Sequence, residues 1–416
     1  MAIVALVGIS YAPEVTGTAV NNVDMAHSLR DAGHKVVVVT GMPHFPEWRV
    51  HTNYRGHMRI DELLDGVEVK RFSHYVPSRQ SAPSRGLYEA TFLVNAAATA
   101  IRPEPDVFVG IIPSLSSGWL ARFYAWRSGV RFGLVFADLM GKAAHQSGMP
   151  GGKSVSGLVS KLELSLARSA SEIGIIADGF REYLVAGGVE PDRIHRIINR
   201  NRAPTHRPEQ PRSTVRRRMG WGDDEFVILH SGNMGYKQAL DNVLRAAALA
   251  ADRGRWRFVL IGDGNQRADL RKLAQRLRVS NLEFLPLVAS EDFDSLLAAA
   301  DLLLVNQRGT VTDMSLPGKI TAYFAAGVPV LAAVALQSET AKEVQRSGAG
   351  LVVSPDQPEA LLAGIERLAD DHETYLQLAE AGPKYVHKYL AGASTSNITH
   401  LVDRLLAARR QTDANH

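Results

Sequence analysis

Twice along this chain, short continuous apolar runs of the strand type alternate with segments of helical spacing. This alternation limits the fold more than any other feature. In the first half Ala2–Ile9, Lys35–Thr40, Val67–Phe72, Asp106–Ile112, Arg131–Phe136, Glu172–Ala177 and Ile194–Ile198 are predicted strands, and Ala19–Gly33 is a helix closed by Gly33 and His34. Runs such as KVVVVT lack polar alternation, which implies strands buried on both faces in a parallel sheet covered by helices. The same grammar restarts after a Pro- and Arg-rich stretch, Pro204–Arg218. Strands are expected at Phe226–Ser231, Arg257–Gly262, Asn281–Leu285, Leu302–Val305, Pro329–Ala332 and Gly350–Val353, with helices at Gln238–Asp252, Asn265–Arg276 and Pro358–Asp370. The expected class is α/β, with two Rossmann-like, doubly wound parallel-sheet domains facing a cleft. The expected division is residues 1–205, a basic linker over 206–218, a second domain over 219–388, and a C-terminal helix over 389–416 placed to pack back on the first domain. Such folds bind ligands beyond the carboxyl ends of their strands.

Composition narrows the function classes. A length of 416 residues suits two or three domains. The absence of cysteine excludes a disulfide framework and any Cys-based zinc site. No apolar run is long enough for a membrane span, since the longest, Leu296–Val305, is broken by Asp301. The N-terminus lacks a basic region and reads as a first strand, so a cytoplasmic protein, soluble or peripheral at the inner face of the membrane, is expected. Nine arginines against one acid, Glu209, lie between Arg193 and Arg218, giving that segment about +8 of a net +4. A solvated linker is the plain reading, and attraction to anionic headgroups or a diphosphate is the sharper one. No nucleic-acid module is recognisable, and the fourteen histidines show no metal-ligand spacing, so neither nucleic acid nor a metal is expected.

Three segments carry anion-binding chemistry. Ser10–Thr18 links the first strand to a helix, with Gly17 between two threonines just before the helix N-terminus, where backbone N–H groups favour an anion. In LHSGNMGYKQALDNVL a strand ends at Ser231, Gly232 and Asn233, and Lys237 is expected to start a helix. A cation is misplaced at that end unless an anion is bound. In DMSLPGKITAYFAAG, Ser315 is an expected cap and Pro317 suits a first turn, again placing a lysine, Lys319, near a helix N-terminus. Neither G-x-G-x-x-G nor a Walker A sequence occurs.

Together with YAPEVTGTAVNNVDMAHSLRDAGHKVVVVTGMPHFPEW, VKRFSHYVPSRQ, FVLIGDGNQRADL, LAAADLLLVNQ and SETAKEVQRSGAGLVV, these segments make the chain resemble GT-B glycosyltransferases of the retaining family 4, in particular the colanic-acid-type (WcaI-like) branch. The resemblance implies a nucleotide-diphosphate sugar donor, UDP- or GDP-linked, used as substrate without a cofactor or metal. It also implies a saccharide, lipid-linked or small-molecule glycoside acceptor, in cell-surface glycan or natural-product biosynthesis. Gly17, Thr18, Gly232, Asn233, Ser315 and Leu316 would approach the donor, and Lys237 and Lys319 would neutralise its diphosphate. The base would rest between Gly262, Asp263 and Gly264 and the Phe284–Leu287 stretch that contains Leu285, with Glu339 a candidate for the ribose. Asp138, after the strand Phe132–Phe136, would orient the donor sugar or the acceptor hydroxyl; a cap on the following turn is its plain alternative. On the acceptor side the resemblance points to Glu14, His44 and His145.

Departures from the family pattern are Met314 and Ala322 where two glutamates are common, Asn233 where an arginine is common, and Ala137-Asp138 where a histidine is common. They leave a non-catalytic GT-B partner subunit and a nucleotide-sugar 2-epimerase as alternatives, the latter disfavoured because it needs carboxylates to move a proton. A final expectation concerns the membrane: Arg71, His74, Arg79 and Arg85 precede the apolar stretch Gly86–Ile101, suiting either contact with anionic lipid or an amphipathic helix packed on the first domain.

Overall fold

The computed structural model describes residues 1–14, 18–45, 47–78, 81–141, 152–197, 210–253, 255–288, 290–311, 319–392 and 398–413. They form two compact units, Met1–Asn201 with Gly392–His416, and Arg202–Ala391.

The first unit holds strands β1 (Ile3–Val7), β2 (Lys35–Gly41), β3 (Arg59–Leu64), β4 (Val67–Phe72), β5 (Val107–Ile112), β6 (Arg131–Phe136), β7 (Glu172–Ile175) and β8 (Ile194–Arg196). They form one sheet in the order β3-β4-β2-β1-β5-β6-β7-β8, parallel throughout except for β3. Successive side chains alternate between two cores: Ala5, Val7, Val37 and Val39 point to one face, and Val4, Leu6, Val36 and Val38 to the other. Helices α1 (Thr18–Asp31) and α14 (Ile398–Asp413) cover the second of these faces through Met25, Leu29, Leu401 and Leu405. Helices α2 (Ala82–Ala97), α3 (Leu115–Ser128), α4 (Gly152–Ser169) and α5 (Gly179–Ala186) cover the first. Helix α2 packs one face on the first unit, as an amphipathic helix does. It buries Tyr88, Phe92 and Ala96 at i, i+4 and i+8, and Ser81 closes a capping box with Ser84.

Strand β3 was not expected from the apolar pattern. It pairs antiparallel with β4 across Asp65 and Gly66, whose φ values of 48° and 78° form a left-handed two-residue turn, and its side chains are half-buried at best.

The second unit holds β9 (Phe226–Ser231), β10 (Trp256–Ile261), β11 (Leu282–Leu285), β12 (Leu302–Asn306), β13 (Val330–Ala333) and β14 (Gly350–Val353), all parallel in the order β11-β10-β9-β12-β13-β14. Chain order thus runs outward from β9 in one direction and from β12 in the other, which is the doubly wound arrangement with a switch point between these two strands. One face packs on α6 (Arg212–Met219), α9 (Ser290–Ala299), α10 (Ile320–Ala325), α11 (Glu339–Ser347) and α13 (His372–Gly392). The other packs on α7 (Asp241–Leu249), α8 (Arg267–Arg276) and α12 (Pro358–Asp370).

The arginine-rich stretch read as linker is partly structural. In α6, Val215 is fully buried in the second unit's core and Arg216 is 3 % exposed. Arg216 donates to Asp301 at 2.9 Å and to the carbonyls of Gly222 and Glu225, while Arg212 also pairs with Asp301 and Arg218 with Asp292. These guanidinium groups are engaged within the unit and do not wait for lipid or diphosphate. Asp301 is the hub, since its Oδ2 also accepts the N–H of Val227 at 2.8 Å. Replacing Asp301 by alanine leaves the Arg216 charge buried, and the expected loss is about 3–5 kcal/mol of stability. Urea unfolding of the full chain measures it.

Candidate functional site

In the second unit the carboxyl ends of β9 and β12 meet at the switch point, and there the chain brings two loops into backbone contact. Gly262 follows β10 with φ 135°, and a Cβ on it would lie 1.9 Å from the Gly232 carbonyl oxygen. No residue other than glycine fits, because the clash is with backbone and the φ is left-handed. The Gly232 N–H donates to the Ile261 carbonyl, the Met234 N–H to that of Asp263, and the Gly262 N–H to that of Leu285. Gly232, Gly262, Asp263 and Leu285 therefore meet through main-chain groups. The Asp263 side chain is exposed and caps the Gly264 N–H at 2.8 Å, and Asn233 is exposed at the rim.

Lys319 caps α10 and is half-buried. Its Nζ lies 3.1 Å from Nδ1 and 3.3 Å from Nε2 of His230, and 5.4 Å from the centroid of the Tyr323 ring. Near-equal approach to both imidazole nitrogens places the cation over the ring face, because an in-plane approach would collide with the carbon between them. His230 is itself fully buried, and burial together with the Lys319 charge holds its imidazole well below the ordinary titration range, hence neutral. Among the described residues no carboxylate pairs with Lys319, and a hypothetical Cβ on Gly232 would be 3.7 Å from Nζ, so the lysine and the β9 loop adjoin. His230 and Tyr323 were not singled out from the sequence. A histidine at the end of a buried strand carries no signal until its neighbour is known.

Lys237 requires a correction. It lies in a short 3-10 turn, Tyr236–Gln238, followed by Ala239 at φ 43°, and α7 starts only at Asp241. The helix thus has an acid in its first turn, and no misplaced lysine argues for an anion there. Lys237 is instead held by main chain: its carbonyl accepts the Arg308 N–H at 2.8 Å, and Asn306 Nδ2 donates to the carbonyls of Gln238 and Ala239. Asn242 donates to Asn306 Oδ1 at 3.0 Å, completing a buried clamp. Among the described residues the Lys237 ammonium has no partner. Lys319 lies where expected, at the N-terminus of α10, a helix of six residues.

Glu339 is 4 % exposed, follows the cap Ser338 in the first turn of α11, and pairs with Lys342 at 2.8 Å. Ala322 is buried on α10. Gly17, His145, Ser315, Leu316, Met314 and Arg79 lie outside the described residues.

In the first unit the switch point lies between β1 and β5, and a cavity of about 200 Å³ opens there. Thr18, Asn22, His44, Trp48, Arg85 and Tyr88 are among its lining residues. Glu14 is 4 % exposed behind it, and its Oε1 accepts the N–H groups of His44 at 2.8 Å and Phe45 at 2.9 Å. His44 Nδ1 lies 2.9 Å from the Met42 carbonyl, which assigns the proton to Nδ1, so Nε2 accepts the Tyr88 hydroxyl at 3.2 Å. Burial outweighs the nearby Glu14 and lowers the His44 titration, leaving a neutral wall residue whose lone pair is engaged. Asp138 is half-buried after β6 and accepts the Leu139 N–H at 3.0 Å. Glu163, fully buried and missed in the sequence, accepts the next two N–H groups, Met140 at 2.6 Å and Gly141 at 3.3 Å. Burial raises its carboxyl titration.

Of the basic entry to α2, Arg71 and His74 are buried and Arg85 is half-buried. Arg71 is fully buried and bonds Glu62 and the Ala12 carbonyl. Burial pulls His74 down to about 3. Arg85 lies 4.3 Å over the Tyr88 ring and pairs with Glu89.

Comparison with known proteins agrees with this arrangement. Residues 16–200 match the glycosyl transferase 4-like domain and residues 211–385 match the glycosyl transferases group 1. The chain is 29% identical over 378 residues to the putative colanic acid biosynthesis glycosyl transferase WcaI of Escherichia coli K12, covering 88% of this chain and 92% of that protein. It is 25% identical over 247 residues to alpha-D-kanosaminyltransferase of Streptomyces kanamyceticus, covering 56% and 60%. Among solved structures, sucrose-phosphate synthase from Thermosynechococcus elongatus superposes with a TM-score of 0.73 at 17% identity, covering all of both chains. Anabaena HepE in complex with UDP-glucose superposes with 0.69 at 16% identity, covering 99% of this chain and 100% of that one. The fold is GT-B. The chain belongs to the family-4-like glycosyltransferases.

The half-buried lysine supplies a pH signature. Burial lowers Lys319 from 10.5 to about 7, so between those values the folded chain has released a proton that the unfolded chain retains. The penalty of the buried charge is therefore complete below pH 7 and fades as pH rises toward 10.5. Lys319→Met is expected to stabilise the ligand-free chain by several kcal/mol at acidic pH and progressively less in alkali. Urea unfolding across that range checks it, and a pH-independent difference would rule out burial of the charge as the cause.

Proposed function

We propose that this glycosyltransferase moves a hexosyl group from a UDP- or GDP-linked sugar to a saccharide, lipid-linked or glycoside acceptor, with retention of configuration and without a metal. The observation that carries this reading is the half-buried Lys319 ammonium at the β9/β12 switch point, which has no carboxylate partner among the described residues. An unpaired charge in that position is complementary to a diphosphate. The solved structure of HepE with UDP-glucose, a protein of the same fold, supports the donor class. The names of WcaI and alpha-D-kanosaminyltransferase support a role in surface glycan or natural-product biosynthesis.

The chemical demand is stabilisation of the leaving diphosphate as the sugar becomes cation-like. The bond from the anomeric carbon to the diphosphate breaks, the acceptor oxygen bonds to the same face of that carbon, and the acceptor proton passes to the departing phosphate oxygen. Lys237 and Lys319 offset the developing charge, and the family resemblance assigns Gly17, Ser315 and Leu316 to the same donor. Main-chain groups of Gly232, Gly262, Asp263 and Leu285, with Asn233 at the rim, receive the nucleotide, and Glu339 the ribose. Asp138 orients a sugar hydroxyl, Thr18 approaches the donor, and Glu14 and His44 shape the acceptor wall, a role the family resemblance extends to His145.

In this reading Lys237→Ala removes one charge contact from the transition state, and turnover is expected to fall about a hundredfold or more, equivalent to roughly 3–4 kcal/mol. Nucleotide release from UDP- and GDP-sugars in the presence of acceptor mixtures measures it. Unchanged release in this variant would remove Lys237 from the diphosphate site.

A further inference from the structure

Helices on a sheet surface normally divide into an apolar face turned inward and a polar face turned to water. Helix α3 does not. It buries Leu120, Ala121, Tyr124 and Ala125, yet its opposite side carries half-buried Trp119 and Phe123 and a Trp126 that is 78 % exposed. Helices α2 and α4 pack on either side of it. The first adds Leu87 and Val94, the latter 66 % exposed, and the second adds Leu158 and Leu162, the former 62 % exposed. Five large apolar side chains thus stand in solvent on three adjoining helices.

The charges on these helices are sorted by sign. Arg122, Arg127, Lys161 and Arg168 are exposed. The acids turn inward: Glu89 accepts bonds from Ser114 and Ser116, and Glu163 is fully buried beneath the Asp138 turn. Beyond α2, Glu104 is already close to Arg102 at 3.6 Å. Arg122 lies 5.1 Å over the Trp119 ring, and the Phe123 and Trp126 rings are 6.2 Å apart. Aromatic rings beside cations, with no outward acid among the described side chains of the three helices, match the boundary between headgroups and acyl chains. No helix among the described residues is long and apolar enough to cross a membrane, so such contact would be peripheral.

We propose that the outer face of α2, α3 and α4 docks on an anionic lipid surface, with Trp126, Val94 and Leu158 entering the interface and Arg122, Arg127 and Lys161 meeting headgroup phosphates. This surface is separate from the arginines around α6, which are engaged by Asp301 and Asp292, and from Arg71 and His74, which are buried. It does not depend on the donor chemistry proposed above.

The test is co-sedimentation of the full chain with vesicles of phosphatidylcholine alone or mixed with phosphatidylglycerol, at low and high salt. Binding to the mixed vesicles is expected to be at least tenfold tighter than to phosphatidylcholine and to weaken with salt, because the charges are exposed and screened. Trp126→Ser, and separately Arg122→Glu with Arg127→Glu, are expected to weaken it tenfold or more without moving the unfolding midpoint. Three outcomes overturn the proposal: no preference for phosphatidylglycerol, binding undiminished in both variants, or a concentration-dependent dimer that Trp126→Ser abolishes. The last would show that the face meets a second copy of the chain rather than lipid.

Discussion

A half-buried ammonium group with no carboxylate partner among the described residues is the constraint around which the second unit's chemistry is organised. Desolvating a lysine is costly, and proteins avoid it unless something compensates. Here the compensation from within the chain is weak: the face of the His230 ring and the ring of Tyr323 offer electron density but no formal charge. The pairing also fixes the histidine, since a second positive charge beside Lys319 would be repelled in a low-dielectric site, and the imidazole stays neutral. Tyr323 is anchored in turn, its hydroxyl accepting the Ser231 N–H at 2.8 Å. Lysine, histidine and tyrosine thus form one unit tied to the end of β9. An anion arriving there would supply the charge balance that the described residues lack.

The same principle of support recurs around each loop that matters. In the second unit Asn306, the last residue of β12, reaches back to two carbonyls beside Lys237 and is itself held by Asn242. In the first unit Glu14 gathers the N–H groups of His44 and Phe45, and Glu163 gathers those of Met140 and Gly141 next to Asp138. In every case a buried polar side chain satisfies main-chain groups that a loop would otherwise leave unpaired. The loops at the strand ends are therefore positioned by the core rather than by their own turn chemistry, which suits sites that must hold a geometry.

The strands and the sheet logic were legible because buried parallel strands write themselves as largely apolar runs, and Arg131–Phe136, Phe226–Ser231 and Gly350–Val353 appear with the expected limits. Strand β3 was not, because its side chains alternate only between exposed and half-buried, although Asp65-Gly66 signalled the turn. Errors were systematic where charge was judged from sequence alone. Arg71, Arg212 and Arg216 suggest solvent- or ligand-facing charges, and all three are engaged by acids of other elements: Glu62 across a hairpin and Asp301 just before β12. Lys237 was placed at a helix start because helical spacing runs through Gln238, but the left-handed Ala239 separates the turn from α7. Glu163, His230 and Asn306 escaped notice because a lone buried polar residue acquires meaning only from what folds against it.

Trp48 shows how one such arrangement is sustained. It has a φ of 51°, a region that a bulky residue occupies only under strain, at a cost on the order of 1–3 kcal/mol. The surroundings over-determine it: its ring meets those of His44 at 5.5 Å and Tyr88 at 5.9 Å, and the Arg85 guanidinium lies 5.8 Å from its centroid. His44 is fixed in turn by Glu14, and Tyr88 by its place on the buried face of α2. Relaxing Trp48 would therefore disturb aromatic contacts and a cation–π contact together. The strained residue lines the cavity at the β1/β5 switch point, as do His44, Tyr88 and Arg85. The strain is thus localised where the first unit presents a shaped, partly apolar wall, and the rigidity that maintains it comes from the same buried carboxylate that orders the loop.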